Sequence, residues 1–279
     1  MNKLIKKIGA ALVAVSFIAG PALAAGSYPI NKPRYVDWSF AGPFGKYDTA
    51  QLQRGLKLYT EVCAACHSLE LVAFRNLEDL GYSEDQIKSF AAQYEVEDGP
   101  NEDGEMFFRP ATPADRFPGP YANREEAVLS NNGAYPPDFS LLAKARHIER
   151  GFPTFVYDIF TQYAEGAPDY IYSLLTGYTD DVPEKYIDEI GDLSYNPYFI
   201  AGPALAMAQP LYDDMVEYDD GTPATLDQHA KDITAFMMWA AEPKLEERKE
   251  LGFRVMVFLV IFAALLYLSK KQVWSRLEH

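Results

Sequence analysis

Hydrophobic residues recur at helical spacing in several short blocks, each preceded by a residue able to cap a helix. Asp48 stands before TAQLQRGLKLYTEVCAACH, with Gln51 at the third helical position and Leu52, Leu56, Tyr59 and Cys63 on one face. The pair Asp48 and Gln51 predicts a capping box, as do Ser83 with Gln86, Asn123 with Glu126, and Thr225 with Gln228. Pro168-Asp169-Tyr170 predicts a further start, with Gly177 as the stop. In LDQHAKDITAFMMWAAE the face is Ala230, Ile233, Met237 and Ala240, and Pro243 ends or kinks the helix. Strict alternation is scarce and no internal repeat is present. The pattern predicts a mainly α chain of short helices joined by long, packed loops.

The two ends carry a different pattern. The apolar run from Leu251 to Ser269 contains one charge, Arg254. At ~1.5 Å per residue it approaches the ~30 Å of a bilayer core, and Arg254 lies where its stem can snorkel. Lys270, Lys271, Trp274 and Arg276 follow it, which predicts a cytoplasmic C-terminus. At the other end, Lys3, Lys6 and Lys7 precede an apolar stretch and the small-residue site Ala22-Leu23-Ala24. That is the form of a secretory signal peptide cleaved after Ala24. The expected organisation is a signal peptide over 1–24, a periplasmic domain over 25–249, a transmembrane anchor over 250–270 and a cytoplasmic tail over 271–279. The location is a cell membrane crossed once.

Composition narrows the partners. The formal net charge of −15 argues against nucleic acid, whose phosphates need Lys and Arg, and suits a basic soluble partner. The 19 Tyr and 17 Phe fit packed loops rather than a regular sheet. Two acidic stretches, Glu95–Glu105 and Asp180–Asp192, are read as solvated loops.

The chemistry lies in EVCAACHSLE. Cys63 and Cys66 are the 2 cysteines of the chain, and His67 is one of its 4 histidines. A dithiol exchange site needs a strand-loop-helix context, yet a helix here runs into Cys63. Zinc needs four ligands, and His147, His229 and His279 form no ligand-like pair. A disulfide this close on a helix is strained. Haem attachment accounts for all three residues, since thiols at i and i+3 on one helix face reach both vinyl groups and the next imidazole meets the iron. One covalently bound haem c is expected, held by two thioethers. For the sixth ligand, Met256 falls in the membrane run and Met237 and Met238 fall mid-helix, while Met106 and Met215 sit by acidic stretches. Met207, in the Gly/Pro-punctuated AGPALAMAQPLYDD, is favoured because small residues let backbone approach a flat cofactor.

Longer stretches sharpen this. GPFGKYDTAQLQRGLKLYTEVCAACHSL, NNGAYPPDFSLLAKARH, YIYSLLTGY, YNPYF, MAQPLYDDMVEYDDGTPAT and DITAFMMWAAEPKLEERKELGF together resemble the cytochrome c1 family in its bacterial form. The resemblance implies a c-type cytochrome domain with long loops and insertions, plus one C-terminal transmembrane helix. It implies that Cys63 and Cys66 hold the haem, with His67 and Met207 as axial metal ligands. Arg146 would pair with a haem propionate, while Pro136 and Pro137 belong to a loop against the ring. No catalytic residue is implied, because the role is electron transfer from a Rieske iron–sulfur protein to a cytochrome c within quinol–cytochrome c reductase, a dimeric complex containing cytochrome b. Two departures stand out. Gln209 replaces the first proline of the family's MAPPL loop, and no cysteines remain for the extra disulfide of some bacterial relatives. The segment 148–168 looks like an insertion. A haem subunit of an oxidase or dehydrogenase, or a structural anchor protein, are the competing readings.

Overall fold

The computed structural model describes residues 30–148, 153–161 and 163–275; the expected signal peptide, part of the 148–168 insertion and residues 276–279 lie outside them. The fold is mainly helical, as the pattern predicts. Helix α1 (Thr49–Glu61) is followed by a 3₁₀ turn over Cys63–Ala65, a longer 3₁₀ segment over Phe74–Leu80, and α2 (Glu84–Ala91). Strands β1 (Glu95–Asp98) and β2 (Phe107–Pro110) precede α3 (Arg124–Ser130), α4 (Leu142–Ala145), α5 (Thr154–Thr161) and α6 (Gly166–Leu175). After α7 (Ile187–Ile190), β3 (Ser194–Tyr195) and β4 (Ala204–Leu205) come α8 (Leu226–Ala241) and α9 (Leu245–Trp274).

The first and last helices of the soluble body, α1 and α8, form the principal contact. They meet at Gly55, where an added Cβ would lie 2.4 Å from the Asp232 carbonyl oxygen and 2.5 Å from the Phe236 Cβ. The crossing therefore requires glycine. Beside it, the buried Asp232 carboxylate accepts from Arg54 Nε at 2.8 Å, Gln228 Nε2 at 2.7 Å and Gln51 Nε2 at 3.2 Å. A buried carboxylate is tolerable only when so paired. An aromatic chain then runs from α8 towards the cysteine motif. Phe236 stacks on Tyr59 at 5.8 Å, Tyr59 lies 6.1 Å from Phe139, and Phe139 lies 4.3 Å from the His67 ring.

All four predicted caps accept a backbone N–H, but only Ser83 and Gln86 close a full capping box. Gln51 and Gln228 turn to Asp232 instead, because a buried carboxylate outbids an exposed amide. Helix α6 starts at Gly166, two residues before the predicted Pro168. Two expectations are corrected. Glu95–Glu105 is not a loop throughout, since Glu95–Asp98 pairs antiparallel with Phe107–Pro110. Arg109 makes this possible by bridging Asp98 at 2.5 Å and Asp115 at 2.7 Å, neutralising part of the acidic run. The stretch Asp180–Asp192 also contains a 3₁₀ turn over Glu184–Tyr186 and the helix α7.

Pro243 separates α8 from α9 as predicted. Helix α9 is long and apolar enough to cross a bilayer, and none of its apolar window is buried. Its far end places Lys270 over the Trp274 ring at 5.3 Å, a pairing suited to a membrane interface.

Candidate functional site

Helix α1 stops at Glu61, and Val62 caps it by donating its N–H to the Leu58 carbonyl. The expectation that the helix itself carries the cysteines is thereby corrected: Cys63 and Cys66 span a 3₁₀ turn, with Cys66 N–H donating to the Cys63 carbonyl at 3.1 Å. His67 N–H donates to the same oxygen at 2.9 Å. The two cysteines flank this one turn, Cys63 packed against the hydrophobic core and Cys66 on a neighbouring cleft. Both are half-buried and unbridged. Burial, and then the neighbouring Cys66, push the Cys63 thiol up to about 12, which keeps it protonated. Among the described residues no three His, Cys, Asp or Glu side chains converge, so the thiols have no zinc-like partner set.

His67 is oriented through its ring. Nδ1 lies 2.8 Å from the Pro137 carbonyl oxygen, which can only accept, so Nδ1 carries the proton. Nε2 then keeps its lone pair. Burial lowers the ring's pKa against the opposing pull of that hydrogen bond and of Asp138, which favours the neutral imidazole a metal needs. Phe139 packs on the ring, and Tyr59 Oη donates to the His67 carbonyl at 3.2 Å.

The segment that supplies Pro137 is held by Asp138. Its carboxylate accepts from Ser68 Oγ at 2.8 Å, Glu70 N–H at 2.9 Å and Ser140 N–H at 2.8 Å. Burial alone would raise its pKa; these bonds offset that and hold it below the usual range. Pro136, beside Cys66, lines a cleft of about 230 Å³ with Tyr121, Arg124 and Tyr135. Arg124 lies over the Tyr135 ring at 4.4 Å.

The other end of that segment reaches Met207. Asn132, held at φ 52°, donates Nδ2 to the Ala206 carbonyl at 3.1 Å. Tyr178 Oη donates to the Met207 carbonyl, also at 3.1 Å. Residues 132–137 thus touch the His67 ring through Pro137 and the methionine loop through Asn132. Gln209 donates Nε2 to the Leu211 carbonyl at 2.8 Å, closing the turn after Met207 by a side-chain hydrogen bond. Arg146 follows α4 as its C-terminal cap and is exposed. Its charge acts on the Tyr170 phenol, and among the described residues no protein carboxylate pairs with it.

A family model described as the Cytochrome C1 family matches residues 38–277. This chain belongs to the cytochrome c1 family. Cytochrome c1 of Rhodospirillum rubrum is 42% identical over 281 residues, covering 100% of both chains. Cytochrome b/c1 of Bradyrhizobium diazoefficiens is 51% identical over 275 residues, or 95% of this chain, which spans 40% of that relative's length. A protein of Solanum tuberosum named cytochrome c1-2, heme protein, mitochondrial, is 42% identical over 271 residues, covering 97% of this chain and 93% of its own. Cytochrome c1 membership makes the chain a haem-carrying electron-transfer protein, and α9, the one helix among the described residues long and apolar enough to span a bilayer, supports a single-pass membrane protein.

The residues present fit a haem. Two unbridged thiols flank one turn, the bond from Nδ1 keeps Nε2 of the imidazole available for metal, and among the described residues no carboxylate pairs with Arg146. Sequence reasoning missed Asp138, Asn132 and Tyr178. Asp138 could have been suspected from its place directly after two prolines, where a carboxylate commonly organises a turn. Asn132 and Tyr178 act on backbone carbonyls far along the chain and leave no local pattern.

Proposed function

We propose that the chain is a monohaem c-type cytochrome that accepts electrons from a Rieske iron–sulfur protein and passes them to a soluble or tethered cytochrome c. It would do so within the quinol–cytochrome c reductase, alongside cytochrome b in a dimeric complex. Its haem domain would be periplasmic, after removal of residues 1–24, and its C-terminus cytoplasmic. The observation that supports this reading is the His67 Nδ1 to Pro137 hydrogen bond directly after the cysteine turn, which leaves Nε2 available to a metal.

When bound, the haem supplies one-electron chemistry. The chain's own part is to fix and shield it. Cys63 and Cys66 would hold the haem covalently through their two sulfurs. His67 would offer its Nε2 to the iron, with its basicity raised by the bond to Pro137. Met207 would offer its thioether as a second ligand, which favours the reduced iron. Arg146 suits a propionate, because a guanidinium fork meets a carboxylate bidentately. Pro136 and Pro137 stiffen the segment beside the ring.

The attachment is testable. Haem should stay with the polypeptide through denaturing electrophoresis, and a Cys63→Ala, Cys66→Ala double variant should lose it completely. Haem extracted from the unaltered chain by acid and organic solvent would contradict two thioethers. A smaller effect is expected for Tyr178→Phe, which deletes one hydrogen bond to the Met207 carbonyl. Methionine ligation should weaken by about 1 kcal/mol. The measurement is the temperature at which the methionine–iron charge-transfer absorption disappears, and it should fall.

A further inference from the structure

Besides α9, one loop of the soluble body reaches the level of the apolar run. Residues 41–46, AGPFGK, turn back sharply: Lys46 N–H donates to the Ser39 carbonyl at 2.9 Å, and Gly42 has φ 67°. An added Cβ at Gly45 would lie 2.1 Å from the Ala41 carbonyl oxygen, so only glycine permits this close return. The loop holds Phe44 at its tip, 70% exposed. The ring meets Phe253 edge-on, with centroids 5.5 Å apart and planes at 69°. Phe253 stands just inside the apolar run of α9 and is itself 55% exposed. The next residue, Arg254, pairs with Glu250, and charged side chains at this position mark the headgroup level.

The loop cannot swing away from the helix. Lys249 Nζ donates to the Phe40 carbonyl at 2.5 Å, and Tyr47 N–H donates to Glu246 Oε1 at 2.9 Å. Tyr47 Oη reaches the Met238 carbonyl at 3.1 Å and the Glu242 carbonyl at 3.0 Å, at the α8–α9 junction. Glu242 also pairs with Lys144 and Arg248, which ties α4 into the same joint. The base of the loop is thus fixed by several bonds while its apolar tip is left bare. We propose that Phe44 inserts into the headgroup–acyl boundary of the bilayer that α9 crosses. One aromatic ring adds little to the hold of a spanning helix. As a second contact away from the helix axis, however, it resists rotation and tilt of the haem domain over the membrane. Lipid is the occupant favoured here because the exposed face of Phe44 continues the exposed apolar face of α9.

The proposal rests on α9 spanning the bilayer, so the test probes both. A photoreactive benzoyl-phenylalanine replaces Phe44 in the full chain, in native membranes, and separately replaces Leu259 within the span. Irradiation at position 44 should give an adduct shifted by the mass of a phospholipid, as at position 259. A cross-link from position 44 to another polypeptide, or no adduct there while position 259 gives one, would overturn the insertion. Absence of lipid adducts at both positions would overturn the span, and the insertion with it.

Discussion

Replacing Met207 with leucine is expected to lower the reduction potential of the bound haem by about 0.1 V or more, within the ~0.8 V over which axial ligands set haem potentials. A shift of 0.1 V corresponds to about 2.3 kcal/mol per electron. Leucine matches methionine in bulk, so the loop can keep its hydrogen bonds from Asn132 and Tyr178, whose acceptors are backbone carbonyls. What would disappear is the thioether proposed to ligate the iron and favour its reduced form. The vacated position should then bind carbon monoxide in the reduced protein, which the unaltered chain should not. Redox titration and carbon monoxide difference spectra check both. An unchanged potential without carbon monoxide binding would move the ligand to Met106 or to a histidine.

The second large effect is expected at Gly55. Its Cβ-free backbone lets α1 approach α8 until the Asp232 carbonyl lies where a methyl group would be. Gly55→Ala forces the helices apart at a place already filled by the Arg54–Asp232 pair and Phe236. Overpacking of this kind costs about 3 kcal/mol. For a domain of this size that is a fall in melting temperature of roughly 6–12 °C. Since α1 leads directly into the cysteine turn, haem incorporation should fall as well. Gly119→Ala is the control: the nearest atom to its added Cβ would be Ser68 Cβ at 3.7 Å, an ordinary contact. Equal melting temperatures for Gly55→Ala and the unaltered chain would contradict the close crossing.

These two sites differ in how far the sequence discloses them. The cysteine motif is contiguous, so the expectation of a haem could be drawn from three residues, and family membership supports the haem. Helix starts were legible for the same reason, because Asp48, Ser83, Asn123 and Thr225 each accept from an N–H within three residues. Second halves of three capping boxes were not: Gln51 and Gln228 answer to Asp232, a tertiary neighbour, and Glu126 accepts from the Ala122 N–H instead. The acidic hairpin was misread because its strand partner and its counter-charge, Arg109, lie beyond the turn. The change from α-helix to 3₁₀ turn at Cys63 was also hidden: local propensity continues the helix, and the turn is fixed by how the Cys63 carbonyl is shared between Cys66 and His67. Met207 could be favoured from the small residues around it, but Asn132 and Tyr178, which hold its loop, are 74 and 29 residues away from their acceptors.

The most direct test of the electron-transfer role is purification of an affinity-tagged full chain from native membranes in mild detergent. Haem spectra and quinol–cytochrome c reductase activity are read on the same sample. The expected result is covalent c-type haem together with b-type haem, a Rieske cluster and antimycin-sensitive turnover. A c-type spectrum accompanied by oxidase or dehydrogenase activity, without that turnover, would contradict the assignment to the reductase.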